Sequence, residues 1–226
     1  MNRQRARLAA GTGLLFAALF VVALLLLRRA PGLAAPDDRY ASFQAGGGDG
    51  LLVAVGLYLA PLAGIAFLWH MTAVRALLDT LVPAPPAMAH GLNLLSGVLF
   101  VAMLFAATAS VAAPALASWL GQAPPVAPDV ARALTAVGYA LFFVFAVRGA
   151  GMFAITTTTL LRAGGVLPGP VALIGYLLAA FLLLAASTEP ATTLVLPAWV
   201  VLIAVSLLVH TRRDRPAAPA AEPAPS

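Results

Sequence analysis

Apolar residues in this chain come in long unbroken blocks. They show neither the alternation of a half-buried strand nor the narrow stripe of a water-soluble helix. Six blocks stand out, at residues 8–27, 50–74, 92–120, 130–161, 171–186 and 192–209. A helix rises about 1.5 Å per residue, so roughly 20 residues cross a hydrocarbon core of about 30 Å. The fifth block is short, and Gly169 and Pro170 extend its start. The pattern predicts an all-α, polytopic transmembrane helical bundle of about six spans in a single domain over residues 1–211.

The segments between the blocks read as breaks. "RRAPGLAAPDDRYASFQAGGGDG" carries Pro, Asp and a glycine run that hydrocarbon cannot hold unpaired, so it is a loop. "VPAPPAMAH" is a stiff turn, and "GQAPPVAPD" is another, with Asp129 placed to cap the fourth span. "GGVLPGP" separates spans four and five. "STEPATT" separates spans five and six, with Ser187 or Thr188 as a cap. The tail from residue 212 to 226 is rich in Pro and Ala, and is expected to be disordered in the cytoplasm. The opening "MNRQRAR" would suit a secretory signal. Its apolar stretch is too long for one, however, and ends on two arginines, which favours an uncleaved helix.

Composition agrees with the pattern. The chain is 62% hydrophobic and 9% charged, against roughly 25% charged for a soluble domain. Its exterior is therefore expected to face lipid, with the bilayer as partner and no nucleic acid. All thirteen basic residues are arginine and there is no cysteine. Thiolate chemistry, disulfides and a Schiff-base lysine are excluded. With the N-terminus in the cytoplasm, Arg3, Arg5, Arg7, Arg75, Arg148, Arg162, Arg212, Arg213 and Arg215 fall on the inner side. Arg28, Arg29, Arg39 and Arg132 fall outside. That excess predicts both termini inside.

Arg148 is the odd charge, set in an apolar run without an acid nearby. From Arg132 to Arg162 the helical rise is about 45 Å, which would put Arg148 near the midplane, where a charge is costly and functional by default. Alternatively the span stops at Val147 and Arg148 snorkels to the inner headgroups, with the threonines at 156–159 near water. Ala146, Ala150 and Ala154 form a small-residue seam, and Arg148 points about 160° away from it. This favours the headgroup reading. If Arg148 is buried, Asp79 is its partner; Arg75, four residues before Asp79, is the competing local one.

Other candidates have plain structural readings. His70, His90 and His210 lack ligand spacing, and "LWH" and "LVH" suit interfacial anchors. Asn93 and Ser96 suit helix-to-helix hydrogen bonds or a vestibule wall. Pro61, Pro114 and Pro197 lie inside apolar runs and predict kinks. Tyr58, Tyr139 and Tyr176 read as packing or belt aromatics, and the shared Gly-Tyr-x-Leu of spans four and five as coincidence. No GxSxG, HExxH or Walker loop occurs.

"PLAGIAFLWHMTAVR", "SGVLFVAMLFAATA" and "FFVFAVRGAGMFAITTTTLLRAGGVLPGPVALIGYLLA" together resemble a group of small multi-pass membrane proteins predicted from actinobacterial genomes. Where such relatives often read "LPRW", this chain has "LPGP". The resemblance implies an all-helical membrane fold and carries no activity. The expectation is a non-enzymatic structural or regulatory membrane protein, without catalytic residues, metal or cofactor. The alternative is a small transporter or channel component with a polar cytoplasmic-side vestibule of Arg148, Asp79, His70 and Asn93.

Overall fold

The computed structural model describes residues 3–81, 87–122, 124–184 and 190–213. Residues 82–86 of the turn expected at 82–90, the Ser187 and Thr188 caps, and the tail beyond residue 213 lie outside these residues, while 87–90 of that turn belong to a helix. The regular elements among the described residues are all helical: α1 Arg3–Leu27, α2 Asp37–Ala45, α3 Gly48–Val53, α4 Ala60–Leu81, α5 Ala87–Gly121, α6 Pro128–Tyr139, α7 Val147–Ala163, α8 Gly169–Leu184, α9 Pro190–Thr193 and α10 Val195–Arg213. Two π-helical segments, Ala54–Leu59 and Ala140–Ala146, join α3 to α4 and α6 to α7 without a break. Four rods are long and apolar enough to cross a membrane: Arg3–Leu27, Gly48–Leu81, Met88–Gly121 and Pro128–Ala163. Gly169–Leu184 and Val195–Thr211 are shorter apolar helices.

Local chemistry explains where the elements depart from the sequence reading. The first long connection contains α2, which opens on Asp37 and Asp38, acids that suit the positive end of a helix dipole. Gly47 takes a left-handed φ of 79° at the corner between α2 and α3. α6 starts at Pro128 after Ala127, so Asp129 sits inside the first turn and makes no capping bond. It acts there on the dipole, while proline suits the first helical position. Pro197 falls in the first turn of α10, where no N–H is missed. Pro61 is the second residue after a π-helical segment. A proline ring clashes with the carbonyl four residues back, and the wider turn moves that carbonyl aside. The tail was expected from residue 212, whereas α10 continues through Arg213.

α7 ends on a left-handed glycine. Gly165 has φ 72°, Val166 N–H donates to Leu161 O, and Gly165 N–H donates to Arg162 O, each at 3.0 Å. This is the Schellman closure, with Val166 and Leu161 both buried beneath it. Leu167 and Pro168 follow, and the chain turns straight into α8.

Neighbouring rods run antiparallel in a closed ring: α1 packs on α4, α4 on α5, α5 on α7, α7 on α8, α8 on α10, and α10 back on α1. The end carrying Arg3 is called basal here and the end carrying Leu27 distal. Aromatic rings fill the ring's axis. The Phe67 ring lies 4.9 Å from Phe16, 4.8 Å from Phe100 and 5.0 Å from Phe153, and Phe153 meets Trp199 edge-on.

Close approach at α7 sets the spacing. A β-carbon at Gly149 would stand 3.1 Å from the Phe100 nitrogen and 3.2 Å from the Ser96 oxygen of α5. One at Gly151 would stand 3.0 Å from the Leu183 nitrogen and 3.1 Å from the Ala179 oxygen of α8. Two glycines on opposite faces therefore let two backbones touch α7. Gly149→Leu is expected to destabilise the fold by about 1–3 kcal/mol through overpacking. A lowered thermal unfolding midpoint in detergent checks it; an unchanged midpoint means that α5 yields without cost.

Candidate functional site

Four consecutive threonines follow these glycines. A helix turns about 100° per residue, so neighbours in such a run face different directions. Each finds a partner. Asn93 Nδ2 of α5 donates to Thr156 Oγ1 at 3.0 Å and to Thr157 Oγ1 at 2.7 Å. Trp199 Nε1 of α10 donates to Thr158 Oγ1 at 3.2 Å. Tyr176 OH of α8 donates to Thr159 Oγ1 at 3.1 Å. Thr156 and Thr159 pass their own protons to the carbonyls of Met152 and Ile155, one turn back. Thr157 and Thr158 are 0% exposed and Thr159 is exposed, so the girdle runs from the packed interior of the bundle to its surface.

Arg148 adopts a third arrangement. In the π-helical segment before it, Val147 N–H reaches back five residues to Phe142 O. That shift leaves carbonyls at the exit of the segment short of N–H partners. Arg148 Nη1 donates to Phe143 O and to Val144 O, both at 2.8 Å. The guanidinium thus turns distally, back along its own helix, on a face shared with exposed Val144 and Met152. It makes no ion pair with a carboxylate among the described residues. Backbone carbonyls are an established partner for an arginine within a span.

The remaining members of the expected vestibule have separate neighbours. His70 is fully buried, and its Nδ1 lies 2.8 Å from Ala9 O in α1. A carbonyl only accepts, so Nδ1 carries the proton and Nε2 presents a lone pair, which has no partner among the described residues. The preceding Trp69 is 63% exposed, so at this point of α4 the indole and not the imidazole faces outward. Asp79 Oδ1 lies 3.8 Å from His90 Nδ1, where the end of α4 meets the start of α5, and pairs with neither Arg75 nor Arg148. Asn93 is committed to the girdle. Among the described residues, no group of three His, Cys, Asp or Glu side chains is placed to hold a metal ion.

At the distal end the first connection folds into a cap. Tyr40 is buried and its OH donates to Gly32 O. Arg132 of α6 lies 5.1 Å from the Tyr40 ring centre and donates to Ala35 O and Asp37 Oδ1. The cation, ring and carboxylate pin this connection onto α6.

Between cap and aromatic core the axis of the ring is hollow. A half-open cavity of about 340 Å³ lies there. Phe20, Ala23, Ala63, Leu104, Phe142 and Phe143 contribute to its wall. Leu25 at 54% exposure and Leu194 at 44% also line it, so its mouth reaches the outer surface beside α1 and the start of α10. Arg28 is the charged residue of the lining. None of Arg148, Asp79, His70 and Asn93 lines this cavity. Sequence reasoning missed it because its walls are ordinary apolar residues of separate rods. The signal available was indirect: Pro61 implies the π-helical segment next to Ala60, another lining residue.

The chain matches no protein-family model, no curated protein and no solved structure.

Thr158→Val removes the acceptor of a buried indole N–H, with an expected loss of about 1 kcal/mol. With Trp69 and Trp119 replaced by Phe, emission reports Trp199 alone and is expected to shift on this change. An unmoved spectrum and midpoint would mean that the bond does no work.

Proposed function

We propose that the chain is a six-span protein of a bacterial plasma membrane, with both termini in the cytoplasm, and that it is a non-enzymatic binding protein for an apolar molecule drawn from the bilayer. The reading rests on the distal cavity of about 340 Å³, which falls in the size range of small-molecule sites and opens on the lipid-facing surface. The basal side is the cytoplasmic one by arginine count, and stays so with Arg148 assigned to neither side. Membership in the actinobacterial group named above is part of the same proposal.

A transporter component is the second reading. It is favoured by a cavity open at one end and closed by stacked aromatics towards the other. In that case the basal seal around Phe67 would have to part during a cycle.

The cysteine-free chain makes topology testable by single substitutions. Ser42→Cys is expected to react with an impermeant maleimide in intact cells, and Thr80→Cys only after lysis. The opposite pattern inverts the bundle, and a chain that purifies monomeric without detergent removes it from the membrane. For the cavity, native mass spectrometry of the detergent-purified protein is expected to show a retained lipid adduct. Ala23→Phe, which fills the wall, is expected to abolish it.

A further inference from the structure

The cavity has a polarity that an inert packing defect would not need. Phe20, Ala23, Leu24 and Leu27 place the outer half of α1 along its length, and Arg28 stands where α1 ends. The Arg28 side chain is exposed and makes no hydrogen bond or ion pair among the described residues; its backbone N–H alone is engaged, with Leu24 O. Of the other distal arginines, Arg132 is consumed by the cap, and neither Arg29 nor Arg39 lines the cavity. Among the described residues, no carboxylate lines the cavity. A deep apolar wall with one uncommitted cation at its rim is complementary to an amphiphile whose polar end is an anion.

The shape narrows the choice. α1 and α10 cross where Val200 faces Gly13. From there α1 extends about 21 Å distally and α10 about 8 Å. Thr193 and Leu194 thus form one rim low on the cavity, and Arg28 forms the other at the distal surface. A molecule anchored at the interface reaches the cavity sideways, without leaving the bilayer. A volume of about 340 Å³ is at the small end for ligand sites. It suits a single hydrocarbon chain and not a whole diacyl lipid.

We infer that the distal cavity is a lateral binding site for one acyl chain of an anionic phospholipid, with the headgroup phosphate taken by Arg28. This rests on the cavity reading above and adds the class of occupant. The second acyl chain stays in the leaflet, and the guanidinium offers the planar donor fork that phosphate oxygens accept.

The test uses the full chain in phosphatidylcholine nanodiscs, probed in turn by spin-labelled phosphatidylglycerol, phosphatidylcholine and stearic acid. The immobilised fraction of each label is read by electron spin resonance. Phosphatidylglycerol is expected to be held roughly fivefold better than phosphatidylcholine, the effect of one arginine near an anionic headgroup. Arg28→Gln should bring the two lipids level, chiefly by lowering the immobilised phosphatidylglycerol, whose headgroup has no cation of its own to balance its phosphate. Arg29→Gln, at a residue outside the lining, should leave the preference intact. Equal binding of the two lipids by the unaltered protein overturns the headgroup assignment. So does an unaltered preference in Arg28→Gln, or retention of stearate alone. If Ala23→Phe leaves every immobilised fraction unchanged, the cavity reading fails as well, which separates the two outcomes.

Discussion

Backbone proximity at α7 is the constraint on which the bundle depends. In hydrocarbon, burying one leucine against another gains little over burying it against a lipid tail. What distinguishes the folded ring from separated rods is packing close enough for dispersion, together with hydrogen bonds that lipid cannot supply. Gly149 and Gly151 bring α5 and α8 to van der Waals distance of α7. That proximity places Asn93 and Tyr176 within reach of the threonines, while Trp199 reaches them from α10. The glycines and the threonines are one device: the first closes the distance and the second converts it into directional bonds. The same approach holds the Phe67 cluster together, since Phe100 and Phe153 come from the two helices that Gly149 joins.

The two π-helical segments link local chain chemistry to the hollow axis. One precedes Pro61 and delivers Ala60 to the cavity wall; the other precedes Arg148 and delivers Phe142 and Phe143. Each contains a backbone irregularity tolerated because something nearby answers for it. A proline needs the extra room in the first case, and a guanidinium takes the displaced carbonyls in the second. Arg148 therefore supports the lining from behind without entering it. An arginine that a hydropathy profile marks as an intruder serves here as a backbone prop.

Much of the fold was legible because length and apolarity are one-dimensional. The long apolar blocks return as rods whose ends differ from the expected ones by a few residues, and the "GGVLPGP" break returns as the Gly165 closure. What stayed hidden depends on which rods meet. Asp79 was matched to arginines because charge and spacing along α4 suggested them, and its neighbour His90 came from the facing helix. The run of threonines was read as preferring water, since sequence shows that a helix face is polar but not that three other helices converge on it. His70 and Trp69 illustrate the same limit, adjacent residues of which one is buried and the other faces out. α2 was missed because its nine residues carry too little apolar content to register as a helix, and it is held by Arg132 of α6 over its own Tyr40.

The girdle also bears on how this sequence is free to change. Its residues point to different partners only because successive positions are offset by a fixed rotation. Inserting or deleting one residue between Phe153 and Thr159 would swing every following side chain about 100° onto the wrong neighbour. Exchanging hydroxyl residues within the run would leave the directions alone. This stretch should therefore drift in composition but never in length, and its span count between Gly151 and Gly165 acts as a ruler for the whole bundle.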